Sequence, residues 1–244
     1  MNKEENNLIG SIRTPKAVIF DTDNTLYSYL PAHKKATRAV EEKVVKILGI
    51  SEETFRSTFE DARQEIKDAL GATASSHSRL LYFQRTIEKL GLGTQILMAL
   101  DLEQTYWRTF LSNCKLFPGV LDFIQLLKSK GVITVNITDL TAQIQFRKLV
   151  YFGLDNFFDY VVTSEEAGID KPDRKPFEVA FAKIKVSPED IWMIGDSPSN
   201  DMAGAHNFGL VKVQKVHMGS AIGSSKEMQP DIVFTEYSKL FKYF

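Results

Sequence analysis

Cysteine is almost absent from this chain: Cys114 is the single one among 244 residues, which excludes an intramolecular disulfide and a cysteine-based metal cluster. Cys114 is expected as a small buried apolar residue. Long hydrophobic runs are missing as well. The opening Met-Asn-Lys-Glu-Glu-Asn-Asn lacks the apolar stretch of a signal peptide, and no later run reaches membrane-spanning length. A soluble, cytoplasmic protein with no membrane partner is therefore expected. Net charge is equally scarce, since 30 Lys and Arg against 31 Asp and Glu leave a formal charge of -1. That balance gives no electrostatic case for nucleic acid or an anionic membrane. Internal repeats and low-complexity tracts are lacking, and the first dozen residues read as a loosely ordered tail. What is present, 43% hydrophobic and 25% charged residues, is an ordinary globular composition. The length suffices for a sizeable interior, either in one large domain or in a core with an inserted module.

The most informative stretch is Ala17-Val18-Ile19-Phe20-Asp21-Thr22-Asp23-Asn24-Thr25-Leu26-Tyr27. Four apolar residues between Thr-Pro-Lys and Asp-Thr-Asp-Asn read as a short strand buried inside a parallel sheet. Open α/β sheets bind ligands beyond the carboxyl ends of their strands, so Asp21 and Asp23 are placed at the ligand edge. Alternation sends both carboxylates to one side and Thr22 to the other. One carboxylate can attack as a nucleophile and form an acyl phosphate, while the other moves protons. A turn or helix cap explains the same residues, because Asp, Asn and Thr all bond nearby backbone N–H groups.

Beyond Tyr27 the pattern becomes helical. Pro31 opens a segment with Val40, Val44, Ile47 and Leu48 at helical spacing, ending at Gly49. Ser51-Glu52-Glu53-Thr54 starts a second helix, residues 78–90 a third and 94–111 a fourth, with 71–76 as a flexible connection among them. From Phe117-Pro118-Gly119 the rhythm alternates between helix and strand, the signature of a parallel sheet covered by helices. Strands are predicted at 132–137, 160–163 and 191–194, with weaker ones at 211–213 and 231–234. The fold class expected is α/β: a core of residues 1–27 and 115–244, interrupted after its first strand by a helical cap at 28–114.

Asp21-Thr22-Asp23-Asn24-Thr25 after a hydrophobic strand resembles the first signature of the haloacid dehalogenase-like (HAD) hydrolase superfamily, Asp-x-Asp-x-Thr. Three further stretches resemble its other signatures, in order. Thr138 follows a strand, where a hydroxyl and free backbone N–H groups can cradle a phosphate or simply cap a helix. Asp139 stands where the family commonly has Asn, and a carboxylate beside a phosphate must turn away or face a metal. Gly168-Ile169-Asp170-Lys171-Pro172 matches the Gly-x-x-Lys-Pro pattern, with Lys171 as the family's ammonium. Gly195-Asp196-Ser197-Pro198-Ser199-Asn200-Asp201 matches the fourth, whose two acids are hard oxygen donors suited to Mg²⁺.

The resemblance covers residues 16–29 and 115–244 and implies a Rossmann-like core with an inserted α-helical cap. It also implies a mechanism. Asp21 is the nucleophile and Asp23 the acid and base; Thr138, Asp139 and Lys171 bind the phosphate. Mg²⁺ is held by Asp21, the backbone carbonyl of Asp23 and Asp196, with Asp201 in support. In such families the cap contacts the leaving group. Tyr27, Tyr29, His33, Lys34, His77, Arg79 and Arg85 are candidates for that contact, and each is also explained as solvated or structural. His77 and Arg79 rank first because they adjoin the 71–76 connection.

The function expected is a Mg²⁺-dependent phosphomonoesterase acting on a small-molecule phosphate ester: a sugar phosphate, a nucleoside monophosphate or a phospho-acid. Asp23 speaks against dehalogenases and phosphonatases, which have no alcohol leaving group to protonate. A phosphosugar mutase retains both acids. A non-catalytic HAD-like binding module remains the alternative of another class, carried by Asp139. Neither the substrate nor the oligomeric state is legible in these residues.

Overall fold

The computed structural model describes residues 13–217 and 219–244; the expected N-terminal tail lies outside them. The chain divides into two compact units. Ser28–Lys115 forms one, and the residues before and after it form the other.

β1 (Ala17–Phe20) is buried along its whole length. The chain then enters the helical unit, through α1 (Tyr29–Leu48), α2 (Glu52–Leu70), α3 (Arg79–Lys89) and α4 (Ile96–Ser112). Ser51 and Ser78 cap α2 and α3, accepting the N–H groups of Thr54 and Leu81. Such caps satisfy donors that the first helical turn leaves free. α1 ends where Gly49 takes φ +66°, donating to Val45 O. The 71–76 connection, expected to be flexible, is a built turn. Its 3₁₀ segment Ala74–His77 buries Ala74 and Ser76, Ser76 Oγ donates to Thr73 O, and Tyr82 Oη donates to Ser76 O. Polar residues that read as linker are consumed here by local hydrogen bonds.

The interior of the helical unit is aromatic. Phe59, Tyr82, Phe83, Tyr106, Trp107 and Phe110 are buried, and Tyr106 packs against Phe83, Trp107 and Phe110 at centroid distances of 5.0–6.3 Å. Half-buried His33 stacks on Tyr29, and its Nδ1 lies 2.7 Å from Tyr106 Oη. Burial, followed by the nearby charges of Arg79 and Arg63, pushes His33 down to about 4.

The chain returns through α5 (Val120–Ser129), β2 (Ile133–Thr138), α6 (Ala142–Tyr151), β3 (Tyr160–Thr163), α7 (Arg174–Lys183), β4 (Ile191–Gly195), β5 (Val211–Lys215) and β6 (Ile232–Phe234). Among the described residues the strands form one parallel sheet of order β3-β2-β1-β4-β5-β6. Sheets of this order bind ligands where strand order reverses, at the carboxyl ends. Here that crevice lies between β1 and β4, with β2 on the other side of β1.

Alternation along β1 feeds two cores. Ala17 and Ile19 join Val135, Ile137, Met193 and, from α7, Phe177 and Ala180. Phe20 meets Phe123 of α5 and Phe158 edge-on, at 6.3 and 5.8 Å. Each such buried side chain contributes roughly 1.5–3 kcal/mol. β1 is thereby clamped on both faces, which fixes the point at which Asp21 leaves the sheet. Cys114 is buried, as expected. Among the described residues no helix is long and apolar enough to cross a membrane.

His33 sets a pH dependence for the helical unit. Its folded value of about 4 lies below the unfolded 6.5, so between these values the unfolded chain binds more protons and stability rises with pH. Acidification from 6.5 to 4 is expected to remove on the order of 1 kcal/mol after solvent screening at a half-buried ring. Urea unfolding of wild type and His33→Asn across this window checks it: the variant's curve should be flatter, and parallel curves would contradict the assignment.

Candidate active site

Asp21 continues the sheet one residue past β1, its N–H donating to Ile194 O at 2.9 Å. The ends of β1 and β4 therefore emerge side by side, and the chains leaving them share one corner. Thr25 Oγ1 donates to Asp21 Oδ2 at 3.0 Å. Lys171, on the loop before α7, donates through Nζ to Asp21 Oδ1 at 2.7 Å, to Asp201 Oδ1 at 2.7 Å and to Ile137 O at 3.2 Å. Three of the four signature loops thus meet on a single ammonium.

Asp201 lies in the π-helical turn Pro198–Met202 after β4. Its Oδ2 accepts the Ser197 N–H at 3.0 Å, so the carboxylate closes its own loop while bonding Lys171. Gly195 makes this possible, because a Cβ there would run into the Asp201 carboxylate. Asp21, Asp196 and Asp201 each bring a carboxylate oxygen within 4.8 Å of the others.

The electrostatics follow from this crowding. Lys171 is 4% exposed; burial alone would lower its pKa, but Asp201, Asp21 and Asp139 outweigh burial and hold it well above the ordinary lysine value. Asp21 is pushed up to about 6 by burial, with Asp201 and Asp23 adding to the rise and Lys171 opposing it. Asp196 is pushed up to about 8 by burial and then by Asp21 and Asp201. One ammonium does not balance three clustered carboxylates. The corner is short of positive charge, and its donors are hard oxygens, the set that Mg²⁺ takes in small number while keeping several waters. A divalent cation fits these residues.

Asp139 is tied to the same centre. Its Oδ1 accepts the backbone N–H of Lys171 at 3.0 Å, and its carbonyl accepts Gln145 Nε2 at 2.6 Å. Burial raises its pKa, opposed by Lys171. The carboxylate found in place of the family's Asn thus fastens the Lys171 loop. Thr138, the last residue of β2, makes a marginal 3.5 Å contact from Oγ1 to Asp139 O, which leaves the hydroxyl able to serve a stronger acceptor. The next turn holds Leu140 at φ +97°, a conformation that costs a branched side chain about 1–3 kcal/mol. Ser164 Oγ accepts the Leu140 N–H at 3.0 Å and helps to hold it.

Asp23 takes different partners from Asp21. Lys148 Nζ donates to both of its carboxylate oxygens, at 2.7 and 2.9 Å, and Tyr27 Oη donates to Oδ1. The sequence pattern gave no role to Lys148 and offered Tyr27 only as a candidate contact for the leaving group. A signal for Lys148 existed: it sits four residues after Ile144, on the buried face of α6, where helical spacing calls for an apolar residue. Of the cap candidates, His77 and Arg79 both lie in the helical unit. Arg79 donates to His77 O at 2.9 Å and Tyr29 Oη at 2.5 Å and lies 5.2 Å from the Tyr106 ring centroid. Among the described residues it has no carboxylate partner.

Comparison with known proteins gives the family. A family model described as haloacid dehalogenase-like hydrolase matches residues 15–209. The chain is similar to a ribulose-1,5-bisphosphate 5-phosphatase of Halopiger xanaduensis, 35% identical over 198 residues that cover 81% of this chain and 83% of that protein. It is similar to a glyceraldehyde 3-phosphate phosphatase of Methanopyrus kandleri, 30% identical over 199 residues, 82% of this chain and 83% of that one. Among solved structures, a 2-haloacid dehalogenase of Pseudomonas syringae has a TM-score of 0.75 at 22% identity, covering 95% of this chain and 97% of the other. This last likeness speaks for the fold.

Gly195 offers a direct test of the corner. Gly195→Ala is expected to displace Asp201 from Lys171, lowering stability by about 1–3 kcal/mol and lowering turnover with it. Thermal unfolding and steady-state assays read both effects; a variant with wild-type stability and rate would show that the Gly195–Asp201 approach does not matter.

Proposed function

The chain belongs to the haloacid dehalogenase-like hydrolases, as an enzyme of the phosphatase kind, and on that premise we propose that it is a Mg²⁺-dependent phosphomonoesterase of a small phosphorylated metabolite, working through an aspartyl phosphate on Asp21. The observation that carries this reading is the contact of Lys171 with Asp21 and Asp201 at 2.7 Å each, at the end of β1. An aspartate held there by an ammonium has one oxygen oriented and a cation ready to meet a second anion.

Asp21, Asp196 and Asp201, with the backbone carbonyl of Asp23, would hold Mg²⁺, which when bound supplies positive charge to the transferring phosphoryl group. Asp21 attacks phosphorus, forming the new P–O bond as the ester P–O bond breaks, and Asp23 gives its proton to the departing alkoxide. Asp23 then takes a proton from water. The water oxygen attacks phosphorus, the P–O bond to Asp21 breaks, and inorganic phosphate leaves with both aspartates restored. Lys171, the Thr138 hydroxyl and the Asp139 backbone N–H bind the phosphoryl oxygens throughout.

Asp23 favours ester substrates, because an alkoxide needs a proton on leaving. The relatives named above act on phosphates of three- and five-carbon sugars, which supports a sugar phosphate or a related phospho-acid here. His77 and Arg79 are proposed as the groups of the helical unit that meet the rest of the substrate.

The test is phosphate release from sugar phosphates, nucleoside monophosphates and phospho-acids, with and without Mg²⁺. Asp21→Asn is expected to abolish release while remaining folded, and Asp196→Asn to raise the Mg²⁺ needed for half-maximal rate by about tenfold or more. Undiminished release by Asp21→Asn refutes the nucleophile. Isomerisation of a phosphosugar without phosphate release would instead identify a mutase.

A further inference from the structure

Lys148 is a buried charge for which the mechanism above has no role. Its side chain is 0% exposed, on the face of α6 that also buries Ile144, Gln145 and Leu149. Taking an ammonium out of water is unfavourable by several kcal/mol unless an anion meets it at close range. A methionine would fill this space without that penalty, so packing does not account for a lysine. What accounts for it is the carboxylate of Asp23, both of whose oxygens lie within 2.9 Å of Nζ.

The contact has a definite geometric effect. A carboxylate bonded through one oxygen still turns about its Cβ–Cγ axis; one bonded through both to a single buried donor does not. Tyr27 Oη adds a second bond to Oδ1, and the Tyr27 ring is itself fully buried, with its centroid 5.0 Å from that of Phe152. Gln145, three residues before Lys148, bonds the Asp139 carbonyl. α6 therefore reaches two signature loops from one face, and Lys148 carries the connection to Asp23, whose side chain remains 28% exposed.

We infer that Lys148 is a positioning residue that holds Asp23 for its turn as base, in the second half of the reaction, when water displaces the phosphoryl group from Asp21. This rests on the phosphatase reading. Orientation assigns the step: a carboxylate held through both oxygens by one buried donor cannot turn away, and taking a proton from an attacking water needs it to keep facing one point.

The experiment is a comparison of wild type with Lys148→Met in steady-state and rapid-quench assays on p-nitrophenyl phosphate, whose leaving group needs no proton. kcat/KM reports steps up to formation of the phosphoenzyme, whereas kcat includes its hydrolysis. The variant is expected to lose about tenfold in kcat, a modest part of what a general base contributes, with kcat/KM within twofold of wild type. An initial burst of nitrophenol and accumulation of acid-stable phosphoenzyme should accompany the loss. A merely structural lysine would lower kcat/KM as well, or the folded fraction, without phosphoenzyme build-up. Equal loss in kcat and kcat/KM, or unchanged kcat, overturns the role while the phosphatase reading stands. Absence of turnover and of phosphoenzyme in the wild type on any phosphate ester would overturn that reading, and this role with it.

Discussion

A buried ammonium shared by carboxylates from separate loops is the constraint on which the rest of this molecule depends. Lys171 reaches Asp21 after β1 and Asp201 after β4, and its backbone N–H is held by Asp139 after β2. None of these groups is tolerable alone in a buried place: a lone lysine would give up its proton and lone aspartates would take one up. Together each meets a partner of opposite charge or a donor, and the sheet fixes where they meet. Strand order places β2, β1 and β4 side by side, so loops far apart in sequence converge at one edge.

The same constraint explains the uneven charge within the site. Lys171 compensates part of the negative charge of its neighbours, and the excess shows in Asp21 and Asp196, raised to about 6 and about 8. Such a corner favours whatever brings positive charge, and it orients Asp21 before a substrate arrives. Asp23, one residue beyond Thr22, is kept out of this network by Lys148 and Tyr27. Two aspartates two residues apart thereby acquire different neighbours. Thr22 between them is bonded instead by Asn136 Nδ2 at 2.9 Å.

Much of this was legible in the residues, for physical reasons. Four apolar residues ending in two aspartates read as a buried strand with a polar end, and β1 spans Ala17–Phe20 as expected. Helical starts at Ser51 and Ser78 were readable because serine caps helices by bonding free N–H groups. The 71–76 stretch read as a linker because glycine, alanine and serine suit a linker as well as a tight turn, and a hydrogen bond from Tyr82, six residues beyond Ser76, favours the turn. Asp139 looked anomalous because its use depends on a backbone N–H thirty-two residues away. Lys148 escaped notice for a related reason: a lysine in a helix is solvated by default, and only the fold shows that this one faces Asp23.

The claim at the centre of this account is that Asp21 is phosphorylated during turnover. The most direct measurement is peptide mapping by mass spectrometry of enzyme quenched in acid during turnover of a phosphate ester. The account predicts the mass of one phosphoryl group on the peptide that contains Asp21, and on no other. Turnover with an unmodified Asp21 peptide at a quench time when the enzyme is saturated, or with the phosphoryl group on a different residue, would contradict it.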